Sequence, residues 1–418
     1  MSAKNLIYNH FFKKFENRKI GNVGCELEFP LVNKSGGDVD KAFARGVFDY
    51  FSNRGFKCAE DEGYFFENAH GDVISFDNSY NNFEFSLCYG DNLCEIKKRF
   101  DEYFAEAQNY FSRENYALIG RGTNPNKSTI SQNRAEFSTY NMVDDFLKTY
   151  GKDTKFPDFP AYLSSVQTHL DVDLQTLPTA YTYFAKLDFV RAILFSNSPD
   201  FDKKGYRCYR DFLWEQSAFS KCSNITGKVD AEFETADALV SYFLEKDMFN
   251  RKRNGKYEIF APVNIKEYFE NEKYGAKDDD IDCYLSFKNV EITARGTLEV
   301  RSDCTQPLDS SFAPCAFNLG ILCNLDSAIS DVDGFFDENS IAMSNTELRN
   351  IVVSGKKLNK ICDEDILSDF VYDLVEIAAE ALEKRGLGEE KLIEPLYKRA
   401  VTLRCPADAE YGNQNDTF

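Results

Sequence analysis

The stretch Ile292-Thr-Ala-Arg-Gly-Thr-Leu-Glu-Val-Arg301 limits what this chain can fold into more than any other. Read with a period of two, Ile292, Ala294, Leu298 and Val300 fall on one side, with Gly296 among them. Thr293, Arg295, Thr297, Glu299 and Arg301 fall on the other, the pattern of a strand with one face in a core. A solvated face could look the same, but three earlier segments repeat the pattern. In Val23-Gly-Cys-Glu-Leu-Glu-Phe29, Glu26 and Glu28 oppose Val23, Cys25, Leu27 and Phe29. In Asn82-Phe-Glu-Phe-Ser-Leu87, Glu84 opposes Phe83, Phe85 and Leu87. In Val166-Gln-Thr-His-Leu-Asp-Val172, Gln167, His169 and Asp171 oppose Val166, Thr168, Leu170 and Val172. Joined in one sheet, these strands would present a carboxylate-rich face edged by arginines.

Such a face repels itself unless divalent cations neutralise it. Carboxylates with one imidazole suit magnesium or manganese better than zinc, whose sites favour Cys and several His. Arginine forks match phosphate. The alternation therefore predicts a site for a metal-bound nucleotide.

The bulk composition narrows the partners. A net charge of −20 argues against nucleic acid or an anionic membrane surface. The 418 residues, 43% hydrophobic and 15% aromatic, supply ample core material. Twelve cysteines show no CxxC pair, and Cys25, Cys315 and Cys323 stand where small apolar residues belong, so reduced core thiols are expected. The N-terminus lacks the apolar region of a signal peptide, and no run approaches the ~18 apolar residues of a membrane span. A soluble, cytoplasmic protein is expected, without nucleic-acid or membrane partners; oligomeric state is left open.

Along the chain, helices are predicted over 5–18, 40–54, 91–115, 178–196, 236–246, 264–270, 311–332 and 363–385, with Gly386 and Gly388 ending the last. Short strands are predicted over 64–67, 72–77, 82–87 and 116–121. Asp278-Asp-Asp280 reads as a solvated loop and the residues after Pro406 as a frayed polar tail. The loop Gly122-Thr-Asn-Pro-Asn-Lys127 is rejected as a phosphate cradle: it lacks a glycine before the lysine, and Pro125 removes a backbone donor. There is no G-x-S-x-G elbow, and of the three histidines His10 and His70 read as surface or structural residues, so serine-nucleophile hydrolysis is not expected. With no tandem repeat or low-complexity linker, one catalytic domain over 1–418 is expected, divided into a sheet region (about 20–325), C-terminal helices (about 326–405) and the tail (406–418).

Six short motifs in order resemble the glutamate–cysteine ligases of the plant and bacterial type, within the glutamine-synthetase-like carboxylate–amine ligases. They are Gly24-Cys-Glu-Leu-Glu-Phe29, Phe83-Glu-Phe-Ser86, Ser165-Val-Gln-Thr-His-Leu-Asp171, Leu194-Phe-Ser-Asn-Ser-Pro199, Tyr209-Arg210 with Trp214, and Arg295-Gly-Thr-Leu-Glu-Val-Arg-Ser-Asp303. The resemblance implies an α+β fold: a curved, mainly antiparallel sheet forming an open saddle or half-barrel, with helices on its convex side. It implies ATP with Mg2+ (Mn2+ possible) on the concave face. Glu26, Glu28, Glu84 and Glu299 take the place of the metal-holding acids, with Asp77 a weaker candidate and His169 beside the nucleotide-metal site. Arg295 and Arg301 stand as phosphate-binding cations and, with Glu299, as the catalytic set. Arg210, Tyr209, Trp214 and Gln167 are the implied substrate-binding residues. The chain departs from the plant pattern at Asn78-Ser-Tyr-Asn-Asn82, where a glycine-rich turn is replaced, and at Ser302, which stands for a glycine.

The reaction so implied is phosphorylation of the γ-carboxylate of glutamate by ATP, followed by attack of an amine, cysteine in the family. Phosphoryl transfer needs alignment and charge neutralisation rather than a protein nucleophile, which fits the scarcity of Ser, His and Cys constellations. Three alternatives stay open: another amine acceptor, a catalytically silent metabolite-binding relative, and a metal-dependent phosphohydrolase.

Overall fold

The computed structural model describes residues 2–151, 158–199 and 205–409. Its strands in chain order are β1 (Val23–Asn33), β2 (Lys57–Cys58), β3 (Phe66–Glu67), β4 (Val73–Phe76), β5 (Asn82–Gly90), β6 (Tyr116–Leu118), β7 (Ser165–Leu170), β8 (Thr226–Gly227), β9 (Asp247–Arg253), β10 (Lys256–Asn264), β11 (Phe287–Lys288), β12 (Val290–Ile292) and β13 (Leu298–Cys304). Nine form an open sheet in the order β12-β13-β7-β1-β5-β4-β3-β2, with β6 on the far end of β1. Every pairing in it is antiparallel.

The central strand shows why the sheet has two unlike faces. Val23, Cys25, Leu27, Phe29 and Leu31 are fully buried on one side, while Glu26 and Glu28 project to the other. On the apolar side, Phe29 and Phe85 pack on Phe100 and Phe104, one turn apart on the helix Leu93–Phe111. Asn92 starts that helix by accepting from the amides of Cys94 and Glu95. The helices Asp188–Phe195 and Ala313–Cys323 lie against β13 and β7. One apolar core contains residues from Leu6 to Leu403; a second, smaller one gathers around Phe146, Phe219 and Phe249.

Helices do not keep to the apolar side alone. Ser138–Tyr150 and Tyr209–Glu215 wall the polar side. The sequence reading assigns nothing to 138–150, although Met142, Val143, Phe146, Leu147 and Tyr150 recur at helical spacing and are the signal that could have found it. The β9–β10 hairpin likewise has no counterpart among the expected elements.

Several expectations need correction. Ile292–Arg301 is a hairpin rather than one strand: β12 ends at Ile292 and β13 starts at Leu298, with Ile292 opposite Leu298. Gly296 turns the chain at φ +80°, where a Cβ would lie 2.5 Å from that of Lys14. Because strand and hairpin both set Ile292 and Leu298 on one face, alternation could not tell them apart; Ala294 is lifted into the turn. The expected helix 178–196 is two, Leu177–Lys186 and Asp188–Phe195, and 311–332 is replaced by Ala313–Cys323 and Leu325–Glu338, which meet at 93° at Asn324. Asp280 is 1% exposed rather than solvated, accepting from Arg253, Tyr268 and the Lys277 amide. Residues 406–409 form a helical turn, with Asp408 bonded to Arg207 and the Cys405 amide, so the tail does not fray at Pro406; 410–418 lie outside the described residues. The twelve cysteines are all unpaired. Among the described residues no single helix is long and apolar enough to cross a membrane.

Candidate active site

The register of β5, β1, β7 and β13 sets the polar residues side by side. Glu28 is opposite Glu84, Glu26 opposite Gln167, and Glu299 opposite His169. They floor a hollow of about 420 Å3. Glu26, Glu28, Glu84, Gln167, His169, Glu299 and Arg301 line it from the sheet, Asp77 and Asn78 from the turn after β4, Arg295 from the Thr293–Thr297 turn, and Arg210 and Trp214 from the wall helix. A bulge between Val300 and Asp303 lets both Arg301 and Ser302 face the hollow and returns Asp303 to the interior.

Two acid groups occupy it. In the first, Glu26, His169 and Glu299 offer three ligand atoms within 4.8 Å of one another. His169 Nδ1 meets Thr297 Oγ1 at 3.2 Å, which in turn meets Thr293 Oγ1 at 2.8 Å. The other ring nitrogen is buried without a hydrogen bond, although it lies 3.2 Å from Glu26 Oε1 and 3.8 Å from Glu299 Oε1. An imidazole nitrogen aimed at two carboxylates, its partner nitrogen held by a hydroxyl, is the donor arrangement of a metal ligand. Burial resists ionisation of Glu26, but the charges of His169 and Arg295 outweigh it and hold the carboxyl down to about 2. Burial works against a charged His169 ring, yet Glu26 raises its pKa above the usual value. A cation placed between these groups would take over the compensation that His169 and Arg295 give Glu26.

The second group is Glu28, Glu84 and Asp77. Glu28, 4% exposed, accepts from the Ser165 amide (2.9 Å), Ser165 Oγ (2.9 Å), Gln167 Nε2 (2.8 Å) and Asn82 Nδ2 (3.3 Å). Glu84 accepts from Ser86 Oγ at 2.6 Å and Ser75 Oγ at 3.4 Å. Burial, then the charges of Glu26, Asp77 and Glu28, push Glu84 well above the carboxylate range. Burial and the charge of Glu28 push Asp77 up to about 7, although Arg301 and a hydrogen bond with Tyr140 pull it down. Two carboxyls that resist ionising among further acids make a floor that a divalent charge would relieve. The donor set of oxygens with one imidazole fits magnesium or manganese.

The cations stand around this floor. Arg295 Nη1 is 3.0 Å from Glu26 at the exposed rim. Arg301 Nη1 bonds the Ser286 carbonyl at 3.0 Å and Glu299 at 3.4 Å. Arg210 is buried, reaches only the Ser302 carbonyl (3.4 Å), and its Nε has no partner. Among the described residues it forms no ion pair. Trp214 stacks on Phe287 at 4.7 Å and meets Phe159 edge-on. Of the expected substrate residues, Tyr209 is not on the wall: it packs on Phe212 and Tyr206 in the smaller core, because Arg210 and Trp214 share a helix face that Tyr209 does not. Gln167 faces the hollow, but its amide is engaged with Glu28 and Ser165.

Other residues entered no expectation. Tyr140 and Thr139 roof the hollow from the unassigned helix. Tyr89, at the end of β5, is 59% exposed, with the Arg18 guanidinium 5.7 Å from its ring centre. Gly24 leaves the floor between it and His169 bare: a Cβ there would lie 3.5 Å from the Cβ of each. Arg18 also donates to the Arg295 carbonyl, and Lys14 to that of Ala294, so the first helical segment holds the turn.

Over 227 residues the chain is 25% identical to a chloroplastic glutamate–cysteine ligase of Solanum lycopersicum, covering 52% of this chain and 42% of that one; the chain thus spans less than half the length of the curated relative it matches. Solved structures similar to it include a Francisella tularensis glutamate–cysteine ligase in complex with AMP (10% identity, 94% of this chain and 84% of that one, TM-score 0.45). A bifunctional glutathione synthetase from Pasteurella multocida gives 12% identity, 96% and 48% coverage, and TM-score 0.45. The model of glutamate–cysteine ligase family 2 (GCS2) matches residues 22–409, the span that holds every residue of the hollow, and the chain belongs to that family.

Proposed function

We propose that the protein is an ATP-dependent ligase that makes a γ-glutamyl amide from glutamate and an amine, with cysteine the acceptor to which the family's name points. The observation that carries this is the meeting of Glu26, Glu28, Glu84, His169 and Glu299 with Arg210, Arg295 and Arg301 in one hollow. We read the chain as one catalytic unit, supported by the apolar core that takes in residues from Leu6 to Leu403.

Each group then has a task. Glu26, His169 and Glu299, and across the floor Glu28, Glu84 and Asp77, would hold magnesium or manganese, which when bound supplies charge neutralisation for a triphosphate. Ser165, Gln167 and Asn82 lock Glu28, so it needs no reorganisation on binding. Arg295 and Arg301 face the phosphates, and Tyr89 offers its ring to the base beyond the rim. Arg210 has unused donors in a buried setting, which suits a bidentate clamp on a substrate carboxylate. With glutamate so held, its γ-carboxylate attacks the γ-phosphorus of ATP and ADP leaves; the neutral amine nitrogen then attacks the acyl carbon, phosphate leaves, and the nitrogen gives up one proton to the departing phosphate. A carboxylate alone would have to expel oxide; the phosphoryl group turns it into a usable leaving group.

The test couples ADP release to glutamate, ATP, magnesium and a panel of amino acids and amines. Turnover that needs both glutamate and an amine, with cysteine preferred, is expected, and Glu299→Gln should remove it while melting like the parent. Absence of ADP with every acceptor, or phosphate-ester hydrolysis needing no amine, would overturn the proposal.

A further inference from the structure

At the wall that carries Arg210, a chain of alternating charges is largely buried. Arg349, on the helix Asn345–Val353, is 1% exposed. Its Nε and Nη2 fork onto Asp211 at 2.7 and 3.2 Å. Its Nη1 bonds the Asp188 carboxylate (3.0 Å) and carbonyl (2.7 Å), and Nη2 also reaches the Ser302 carbonyl at 3.2 Å. Arg191 completes Asp188 at 2.7 Å, and Lys228 approaches Asp211 at 3.3 Å. All five donors of one guanidinium type are thus directed at three separate elements.

Stability alone is a weak reason for such a network, since apolar residues of similar volume usually replace buried ion pairs at no loss. Its placement supplies another reason. Asp211 follows Arg210 in the chain and Ser302 follows Arg301. The Ser302 carbonyl accepts from both Arg349 and Arg210, at 3.2 and 3.4 Å. Among the described residues Arg210 pairs with no acid, so its orientation is inherited from the helix that Asp211 anchors and from the strand that Ser302 belongs to. Arg349 ties both together.

We propose that Arg349 is a positioning residue: through Asp211 and the Ser302 carbonyl it sets where the Arg210 guanidinium stands relative to Arg301, and thereby the geometry of the carboxylate-bearing substrate. The identity of that substrate as glutamate rests on the ligase reading above. The network reaches the phosphate end through the β13 backbone and through Asn289, whose side-chain amide donates to Asp188 at 2.7 Å and whose carbonyl accepts from the Arg301 amide; neither link runs through the Arg210 guanidinium, so a loosened Arg210 should weaken the hold on glutamate while leaving that on ATP.

The experiment is steady-state ligation by the full chain and by Arg349→Lys, which keeps the charge but not the fork, with Asp211→Asn as a second, isosteric variant. Melting curves establish that each is folded. Expected is a rise of about tenfold or more in KM for glutamate in both variants, with KM for ATP held within about twofold. KM values for the two substrates that rise together, an unchanged glutamate KM, or failure of both variants to fold would make the network purely structural and overturn the proposal. An inactive parent chain would fell the ligase reading, and this inference with it; an active parent with indifferent variants would fell the inference alone.

Discussion

Asp77→Asn in metal-stripped protein puts the electrostatics of the hollow to a test with a definite sign. Burial and Glu28 push the Asp77 carboxyl from 3.8 up to about 7. A carboxyl raised in the folded state keeps a proton that the unfolded chain has already lost, so its stability is intact below about 4 and drains away as pH rises through about 7. At about 1.4 kcal/mol per pH unit, the gap from 3.8 to 7 sets the total loss at about 4 kcal/mol by pH ~8. Asparagine keeps the shape, carries no charge and can still accept from Tyr140. In chelator near pH ~8 the variant should therefore be the more stable protein, by up to about 4 kcal/mol. The gain will be smaller to the extent that Glu84, relieved of one repulsive neighbour, ionises in turn. The assay is urea unfolding from pH ~5.5 to ~8, which stays above the isoelectric point of about 4.7 and should show about 2 kcal/mol of decline in the parent and little in the variant. Magnesium should narrow the difference, because the parent gains about 2.7 kcal/mol at a hundredfold excess over its dissociation constant and the variant, short of a ligand, gains less. A variant less stable than the parent in chelator, or one with the same pH slope, would refute the account of a self-repelling floor.

Three further outcomes follow from the same geometry. Among the described residues Glu84 is hydrogen-bonded only by serine hydroxyls, which can donate or accept, so Glu84→Gln should leave metal-free stability unchanged or improved while abolishing magnesium-dependent stabilisation. Glu28 faces the obligate Ser165 amide and two amide groups already oriented as donors, so Glu28→Gln should cost about 1–3 kcal/mol in urea unfolding; equal effects at the two positions would contradict this. Tyr89→Ala should raise KM for ATP by about tenfold, taking about 1–3 kcal/mol for base stacking, without moving that for glutamate, and unchanged ATP kinetics would take the base away from this ring.

Much of the floor was legible in the residues because period two leaves no freedom: once Leu27 and Phe29 are inward, Glu26 and Glu28 must point away. Alternation is blind to chain reversal, however, which is why the Thr293–Thr297 turn looked like strand. It also carries no information about breaks in helices. Leu187 and Asn324 interrupt long apolar runs without a proline or glycine, and what rewards the first break is burial of Asp188 against Arg191 and Arg349, a contact some 160 residues away. Tyr209 was grouped with Arg210 and Trp214 by nearness in sequence, whereas a helix sorts its residues by angle. Tyr140 and Tyr89 stayed hidden for a different reason: an aromatic residue looks the same in sequence whether it fills a core or borders a cleft.

The sheet order has a temporal consequence. The middle strand, β1, comes from the start of the chain, yet it is flanked by β5 and by β7, and β7 in turn by β13, so its neighbours arrive about 60, 140 and 270 residues later. During synthesis the hollow cannot be completed until Cys304 has emerged: Glu28 and Glu84 can meet once β5 is made, but Glu299 joins Glu26 and His169 only at the end. A divalent ion can therefore reward only the finished sheet and cannot seed it. Assembly of this protein must be driven by the phenylalanine-rich underside, with the charged side brought together at the end as a cost already covered.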